Sequence, residues 1–578
     1  MVFNMVKPDK ILIGEMLINE GLITPEQLER ALKEQKKTEE FICSVLIRLG
    51  FGTEDDILGA LAKQLGCPYV RVKNISIPSD VIAKIPPKYA SHYKMMPIKL
   101  ENNVLTCAVS DPLNIQVLDD IKLLLGYEVA AVLSSEKDII DGIHRYYGVG
   151  ADTLEKMVSE RTYETGDMLK AEKTEDLESL TEEASVIKFL NQILLKAVEE
   201  RATDIHIEPF EDELKVRFRI DGILYPTAIP LTIKYFHSVI ISRIKIMSGL
   251  NIAERRLPQD GRMKVKVGDY ELDMRISIIP TVFGESAQIR ILSQQALLDL
   301  EKLGLVEEDL VIFDRLIRSP HGIIFVTGPT GSGKTTTLYA SLKKINSSEL
   351  KIITIEDPVE YQLSGITQIQ TVPKIGFTFA QGLRAVLRHD PDVLMVGEVR
   401  DYETAEIAIR CALTGHLVFS TLHTNDAAGA VTRLLDMGME PFLVSSSVEC
   451  FVAQRLVRLI CPNCKAEAKP DEATIQELGL SRHAGGRITL YEGKGCEACK
   501  FTGYKGRTGI YEILKVNEDI RQMIIARRSS QEIKRKAMQQ GMKTLLQDGW
   551  NKALKGLTTL SEVVRVTQKE AISEDIKS

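Results

Sequence analysis

The sequence predicts a multidomain α/β protein whose main domain is built on a parallel sheet. Two observations predict this class. Short apolar runs alternate with helical patterns through the second half of the chain, and one such run leads into a glycine-rich loop. Strands of a parallel sheet are joined by crossover helices that cover both faces, which produces this alternation. At 578 residues, the chain is also too long to fold around a single hydrophobic core.

The glycine-rich loop reads GPTGSGKT over residues 328–335 and fits the spacing G-x-x-x-x-G-K-[ST]. Glycines let backbone N–H groups close around an anion, and the helix that follows favours negative charge at its start. We therefore predict a nucleoside-triphosphate site, in which Lys334 reaches the β- and γ-phosphates and the Thr335 hydroxyl binds Mg²⁺. The predicted site consists of Gly328, Pro329, Thr330, Gly331, Ser332, Gly333, Lys334, Thr335 and Thr336.

Composition and pattern divide the chain into six predicted segments. The first holds a duplicated helical module, because the unit at 12–35 recurs at 41–64 with the same spacing of apolar residues, glycine and threonine. A strongly acidic run reads as a linker. The segments are the helical module at 1–67, a small α/β domain at 68–150, the acidic linker at 151–183, a second, PAS-like α/β domain at 184–295 that opens with a helix at 185–200, a RecA-like nucleotide domain at 296–510 and C-terminal helices at 511–578.

Bulk properties narrow the class of protein. The net charge of −7 gives no basic signature for nucleic acid. No apolar run approaches 18 residues, and residues 1–10 lack the apolar core of a signal peptide. Five of the 9 cysteines stand alone in mostly apolar contexts, as buried thiols do. These features predict a cytoplasmic protein.

Two further apolar runs end in carboxylates. Residues 352–355 are followed by Glu356 and Asp357, and residues 393–396 are followed, after one glycine, by Glu398. The carboxyl ends of parallel strands face the ligand crevice, where one acid would hold Mg²⁺ through water and another would activate the attacking water. Spacing does not assign these roles. We favour Glu398 as the base, because it is a single isolated carboxylate after its strand.

Two histidines flank a fourth apolar run. His416 precedes residues 417–422 and His423 follows them. A histidine at a strand end beside phosphates can sense the γ-phosphate by hydrogen bonding. The alternative is that each is a structural residue, and we favour the sensing role more for His423 than for His416.

Four cysteines form a C-x₂-C…C-x₂-C set with a long spacer. This spacing suits a closed tetrahedral Zn²⁺ site, which is structural rather than catalytic. The alternative is a set of reduced surface thiols. The predicted ligands are Cys461, Cys464, Cys496 and Cys499.

Arginines concentrate before the phosphate loop. Each alone reads as a surface or salt-bridged side chain, but an arginine-rich domain joined to an ATPase core suggests cations supplied across a subunit boundary. The candidates are Arg217, Arg219, Arg256, Arg262 and Arg275.

These segments together resemble the secretion ATPases of type II secretion and type IV pilus assembly, the GspE/PulE/PilB group. The resemblance covers about residues 184–570, and the N-terminal repeat extends it further. Matching segments are the Walker A loop at 328–335, an Asp box at 356–361, a Walker B segment at 390–401, a His box at 414–426, the four cysteines and two upstream motifs at 202–209 and 253–262.

The resemblance implies a homohexameric ring that hydrolyses ATP at the inner membrane, held there by its partners. It would act on a platform protein of that membrane, which adds pilin or pseudopilin subunits to a filament. Glu398 would be the catalytic glutamate, and Arg262 and Arg275 would reach the γ-phosphate. The four cysteines and long N-terminal region favour an assembly motor over a retraction motor. Residues 373–380 read as pilus-like and residues 426–438 as secretion-like.

The N-terminal repeat resembles modules that bind cyclic di-GMP in some family members. There, each unit opens with an Arg-Leu-Gly triplet. Here the corresponding residues are Leu12-Ile13-Gly14 and Phe41-Ile42-Cys43, so both arginines and one glycine are missing. We therefore favour docking to a membrane-associated accessory protein over cyclic di-GMP binding.

Two other classes of protein remain as alternatives. A nucleotide-gated adaptor without hydrolysis would keep the phosphate loop but lose a carboxylate, and the presence of Glu356, Asp357 and Glu398 counts against it. A RecA-like nucleic-acid translocase would carry a basic stripe, which this sequence lacks.

Overall fold

The computed structural model describes residues 13–38, 42–111, 122, 127–148, 175–267, 270–292, 299–468 and 488–567. The chain divides into two compact units, Met1–Ile291 and Leu292–Ser578, and each is described by itself. Across the described residues, no helix combines the length and apolarity that a membrane span requires.

The first unit opens with the duplicated helical module. Each copy is a short helix, a turn at a glycine with positive φ (Gly21, 72°; Gly50, 70°) and a longer helix. The hydroxyls of Thr24 and Thr53 accept hydrogen bonds from backbone N–H groups three residues on, as N-caps do. The two copies therefore share the same order of elements. Its helices are α1 (Ile13–Asn19), α2 (Pro25–Thr38), α3 (Ile42–Arg48) and α4 (Glu54–Leu65).

A small sheet follows the helical module. Its strands are β1 (Met95–Glu101), β2 (Val104–Val109) and β3 (Glu128–Leu133), with β1 antiparallel and β3 parallel to β2. Buried apolar side chains of these strands pack against the helices around them. Those helices are α5 (Ser79–Ile82), α6 (Pro87–His92) and α7 (Glu136–Tyr146).

A six-stranded sheet completes the first unit, in the order β6-β5-β4-β9-β8-β7. Helices α8 (Glu175–Glu199) and α9 (His237–Met247) cover its apolar face. Side chains alternate along each strand, so polar and charged residues line the other face. The strands are β4 (Ala202–Pro209), β5 (Leu214–Ile220), β6 (Ile223–Pro226), β7 (Gln259–Val267), β8 (Tyr270–Thr281) and β9 (Gly284–Leu292).

Helix α8 corrects one expectation. It begins at Glu175, ten residues before the predicted start at residue 185, so its first turns lie inside the stretch 151–183 that we interpreted as a linker. Glutamate, the commonest acidic residue of that stretch, is a good helix former. The rest of that stretch, 151–174, lies outside the described residues.

The second unit is built on a seven-stranded sheet in the order β12-β11-β13-β14-β10-β15-β18. The first six strands are parallel, and β18 pairs antiparallel with β15. Strands β10, β11, β13 and β14 are buried along their whole length, as helices on both faces require. This confirms the predicted α/β class. The strands are β10 (Gly322–Thr327), β11 (Ile352–Glu356), β12 (Thr367–Gln370), β13 (Val393–Val396), β14 (Leu417–Leu422), β15 (Val448–Ile460) and β18 (Tyr504–Lys515).

Helices cover both faces of this sheet and continue to the end of the described chain. A hairpin of β16 (Lys465–Ala468) and β17 (Leu490–Gly493) packs on the last two helices through Leu490, which shares a small apolar cluster with Trp550 and Val563. The helices are α10 (Glu307–Leu316), α11 (Lys334–Ile345), α12 (Phe379–Val386), α13 (Tyr402–Leu413), α14 (Ala427–Asp436), α15 (Pro441–Ser447), α16 (Glu518–Ile525), α17 (Ser530–Gln539), α18 (Leu545–Leu554) and α19 (Leu560–Thr567).

Candidate active site and metal centre

The phosphate loop lies between β10 and α11, as the sequence predicts. Its backbone requires glycine at two points where neighbouring atoms come close. A Cβ atom at Gly328 would lie 2.6 Å from both the Gln454 carbonyl oxygen and the Ser332 hydroxyl oxygen. Gly333 has a φ of 89°, and a Cβ atom there would lie 2.9 Å from the Gln454 side-chain amide. The loop therefore wraps tightly on itself and on strand β15.

The loop has the donors and the positive charge that a phosphate group needs. The Ser332 hydroxyl is buried and has no hydrogen-bond partner among the described residues. Lys334 donates from Nζ to the carbonyl oxygens of Gly328 (2.7 Å) and Pro329 (3.1 Å). Burial lowers the pKa of Lys334 to about 8, and the carboxylate of Glu398 partly opposes this shift. A polyanion here would supply acceptors to both side chains.

Glu398 and His423 come together at the carboxyl edge of the sheet. They follow β13 and β14, which are neighbouring parallel strands. The Nε2 atom of His423 lies 3.3 Å from an Oε atom of Glu398, and Arg400 forms an ion pair with the same carboxylate. Lys334 begins α11 just after β10, which is the other parallel neighbour of β14, so the three predicted residues share one end of the sheet.

Glu356 has different surroundings from Glu398. It is buried at the end of β11, where its carboxylate accepts hydrogen bonds from Thr354 (2.6 Å), Gln368 (3.1 Å) and Tyr339. Burial raises the pKa of Glu356, although these three donors oppose the rise. Its oxygens are thus directed into the protein, while the adjacent Asp357 is exposed. This arrangement favours Glu398 over Glu356 as the base.

His416, the histidine for which the sensing role is the less favoured, does not join this group. It precedes β14, and its backbone carbonyl accepts a hydrogen bond from Gly322, the first residue of β10. Its Nδ1 atom lies 2.9 Å from the carbonyl oxygen of Cys411. Six residues of strand, roughly 20 Å, separate the two ends of β14. His416 therefore lies at the opposite edge of the sheet and has a structural environment.

Sequence reasoning missed two polar residues of β15 that contact the site. The Thr337 hydroxyl in the first turn of α11 donates to Gln454 Oε1 at 2.8 Å. Arg455 donates from Nη2 to the Asn425 carbonyl oxygen at 2.7 Å, in the loop after β14. The only available signal was a polar pair inside the mostly apolar run at 448–460, which also contains Glu449 and Arg458, and that signal does not indicate where the strand lies.

The candidate arginines belong to the first unit, whereas the phosphate loop belongs to the second. Arg262 on β7 and Arg275 on β8 are directly opposite each other in the antiparallel register. Arg217 makes two hydrogen bonds to Glu208, of 2.8 and 2.9 Å, and Arg256 pairs with Glu254. The guanidinium groups of these last two are therefore engaged by carboxylates of their own domain.

The four predicted zinc ligands converge between β15 and β18. Their sulfur atoms lie within 4.8 Å of one another, with 3.8 Å for Cys461–Cys496 and Cys464–Cys499 and 3.7 Å for Cys496–Cys499. A tetrahedral site with Zn–S bonds of about 2.3 Å has sulfur–sulfur edges of about 3.8 Å, so the set fits zinc. Burial opposes ionisation of Cys499, but backbone N–H groups of Cys496 and Gly503 lower its pKa to about 7, which favours the thiolate.

Comparison with known proteins gives consistent matches over most of the chain. The family model for type II/IV secretion system proteins matches residues 179–565, and a model of the MshEN domain matches residues 65–153. The type IV pilus assembly ATPase PilB of Myxococcus xanthus is 43% identical over 96% of this chain and 98% of its own length. The type II secretion system protein E of Xanthomonas campestris is also 43% identical, with the same two coverages.

A third relative matches a shorter part of the chain more closely. The type II secretion system protein E of Pseudomonas aeruginosa is 51% identical over 69% of this chain and 78% of its own length. The family model covers more than half of the chain, and two relatives are aligned along nearly all of it. The chain therefore belongs to the type II/IV secretion system protein family and is an ATPase of that family.

Proposed function

We propose that this chain is a motor that hydrolyses ATP to add pilin or pseudopilin subunits to a filament, acting as a homohexamer. One observation carries the proposal most directly: Glu398 and His423 are in contact at the carboxyl edge of the parallel sheet, beside the phosphate loop that holds Lys334. Relatives from both machines match with 43% identity over 96% of the chain. The proposal is therefore limited to the function that pilus assembly and type II secretion ATPases share, and it does not choose between the two machines.

The residues of the site supply each requirement of phosphoryl transfer. Backbone N–H groups of residues 328–335 and the Lys334 ammonium would hold the phosphates, and the Thr335 hydroxyl would bind Mg²⁺, which neutralises charge on the transferred group. Glu398 would accept the proton of the water that attacks the γ-phosphorus, as the bond from that phosphorus to the β–γ bridging oxygen breaks. His423 would hold Glu398 in place and sense the γ-phosphate.

Arg262 and Arg275 would complete the site from another subunit. They lie directly opposite each other on β7 and β8. Side chains at such cross-strand positions lie close together, so both cations would be within reach of one bound phosphate group. Arg217 is omitted from this proposal, because its pair with Glu208 occupies its guanidinium group.

The cysteine cluster would hold a structural Zn²⁺ ion, and the first unit would dock to membrane partners. The cluster is closed by four sulfur ligands, which leaves no position for a substrate. The inner-membrane platform protein would receive the motion of the ring, and an accessory protein would bind the N-terminal module. Binding of cyclic di-GMP stays disfavoured, because the two triplets at 12–14 and 41–43 lack their arginines. Positions 12 and 41 lie outside the described residues.

The variant Glu398→Gln tests the proposal. It should bind ATP with an affinity within a few-fold of the wild type, because the phosphate loop is unchanged. The turnover number should fall by about 100-fold or more, since the proton acceptor is lost. Steady-state ATPase assays and binding of a fluorescent ATP analogue would measure both.

Glu403→Gln is the matched control. Glu403 is an exposed acid near the same sheet edge that pairs only with surface Arg384 among the described contacts, and the variant should behave as the wild type. A wild-type chain that binds ATP without turnover would instead be a non-hydrolysing adaptor. Full activity of Glu398→Gln would overturn the assignment of the base.

A further inference from the structure

Strand β15 extends past the end of its parallel neighbour β10. Thr327, the last residue of β10, pairs with Ala453, so Gln454 and Arg455 are the next residues of β15 and lie beside the phosphate loop. Both side chains are buried, with exposed fractions of 2% and 9%. Burying a guanidinium group costs free energy unless its N–H donors are used. The hydrogen-bond partners of Arg455 therefore indicate why an arginine is buried at this position.

Arg455 touches two loops of the active site at once. Its Nη2 atom donates to the carbonyl oxygen of Asn425 at 2.7 Å, and its Nη1 atom donates to the carbonyl oxygen of Gln454 at 3.1 Å. A Cβ atom at Gly328 would lie 3.1 Å from Nη1, so the guanidinium group packs on the first glycine of the phosphate loop. One planar group thus links that loop to residues 423–426, which we name the His423 loop.

The His423 loop is attached to the core by its backbone and by the residues after His423. The backbone N–H of Thr424 donates to the Thr327 hydroxyl at 2.9 Å, and the two threonine hydroxyls are 2.7 Å apart. Asp426 caps α14 by accepting from Gly429. The His423 ring itself is 47% exposed. The direction of the ring toward Glu398 therefore depends on how the backbone of its loop is held.

We propose that Arg455 is a positioning residue for ATP hydrolysis, which holds the His423 loop against the phosphate loop so that His423 meets Glu398. The inference rests on the proposed roles of Glu398 and His423. A guanidinium group is suited to this task, because its rigid fork spans two acceptors, whereas a lysine would keep the charge and lose the fork. Arg455 thus acts through His423 without contacting the reacting atoms.

The deciding variant is Arg455→Lys in the full-length chain, compared with Arg458→Lys as a matched control. Arg458 lies on the same strand and pairs with Glu562, away from the phosphate loop. We expect Arg455→Lys to lower kcat by about tenfold or more with KM within about threefold of the wild type, because geometry is lost and the phosphate-binding groups remain. Arg458→Lys should retain kcat within about twofold.

A double-mutant cycle with His423→Ala separates positioning from a general structural role. If Arg455 acts through His423, the Arg455→Lys change should lower kcat by less than about twofold in the His423→Ala background. An undiminished effect in that background, or a rise in KM with kcat unchanged, would overturn the inference. A wild-type chain without ATP turnover would contradict the proposed function instead, so the two failures are distinguishable.

Discussion

Single carboxylates at the ends of parallel strands differ in what surrounds them. Glu398 keeps a histidine and an arginine as neighbours at the sheet edge, whereas Glu356 is enclosed by three hydrogen-bond donors. Both follow apolar runs in the sequence, so spacing alone leaves them equivalent. The difference comes from β12, whose Gln368 reaches across to Glu356 at the edge of the sheet.

Glu356→Gln tests the difference between the two acids. The amide would accept fewer of the hydrogen bonds from Thr354, Tyr339 and Gln368, so we expect the free energy of unfolding to fall by about 1–3 kcal/mol. ATP turnover should stay within about tenfold of the wild type, because we assign the role of the base to Glu398. Thermal melting and ATPase assays on the same preparation would measure both. Unchanged melting together with abolished turnover would make Glu356 the base.

Among the elements, we expect the β16–β17 hairpin to depend most on a bound ion. Four sulfur atoms close its base, and Leu490 packs against Trp550, the one tryptophan of the chain. We predict about one zinc per chain. Cys496→Ser should release it and change the Trp550 fluorescence, while ATP binding persists.

Cys67→Ser, at a partly exposed lone thiol of the first unit, is the control and should retain the metal. Metal analysis of the purified wild type would decide the point. Wild-type protein free of zinc, with four titratable thiols in this cluster, would refute the prediction.

Helix α19 carries a second element-level prediction, on pH. Burial works against the charge of Glu562, but Arg565 and Arg458 outweigh it and lower the pKa of Glu562 to about 2. A carboxyl whose folded pKa lies below its unfolded value, about 4.3, stabilises the fold above that value. Its contribution should be lost as the pH falls from about 4.3 to about 2.

Acid titration of Trp550 fluorescence would follow this loss, because Trp550 packs on Val563 of the same helix. Glu562→Gln should remove the pH-dependent step and destabilise the helix pair at neutral pH by about 3 kcal/mol or more, since two arginines lose their partner. Glu518→Gln, at an exposed ion pair on α16, is the control and should titrate as the wild type. A wild-type profile in Glu562→Gln would contradict the prediction.

At the scale of the whole molecule, the proposed ring implies that one active site uses residues of two subunits. Glu398→Gln and Arg262→Ala should each be nearly inactive alone. In a 1:1 co-assembly, about a quarter of the shared sites would have both residues intact. The ATPase activity should therefore recover to about a quarter of the wild-type activity. ATPase assays on co-expressed, purified assemblies would measure it.

Co-assembly of Glu398→Gln with Lys334→Ala is the matched control. Both residues lie in the second unit at the same sheet edge, so this mixture should stay inactive if the arginine alone comes from a neighbour. Equal inactivity of both mixtures would place Arg262 and Glu398 in the same subunit.

The sequence predicts the α/β class and four central strands, but it does not predict the complete sheet. The strands at 323–326, 352–355, 393–396 and 417–422 were recognisable because each is a short apolar run next to a turn or a charged residue. Strands β12, β15 and β18 were missed. β12 is short and partly exposed at the sheet edge, and β15 and β18 owe their place to a long antiparallel pairing that joins distant parts of the chain.

Local spacing was enough to identify the phosphate loop at 328–335, the cysteine pairs and the N-terminal repeat. Each is a short-range pattern in which the chemistry follows from residue types a few positions apart. The tertiary structure decided which acid and which histidine share the site, and it placed Arg455 there. Those choices depend on strand order and on which end of a strand a residue occupies. The Glu398–His423 and Arg455–Asn425 contacts join segments that are far apart in sequence and meet only when the sheet forms.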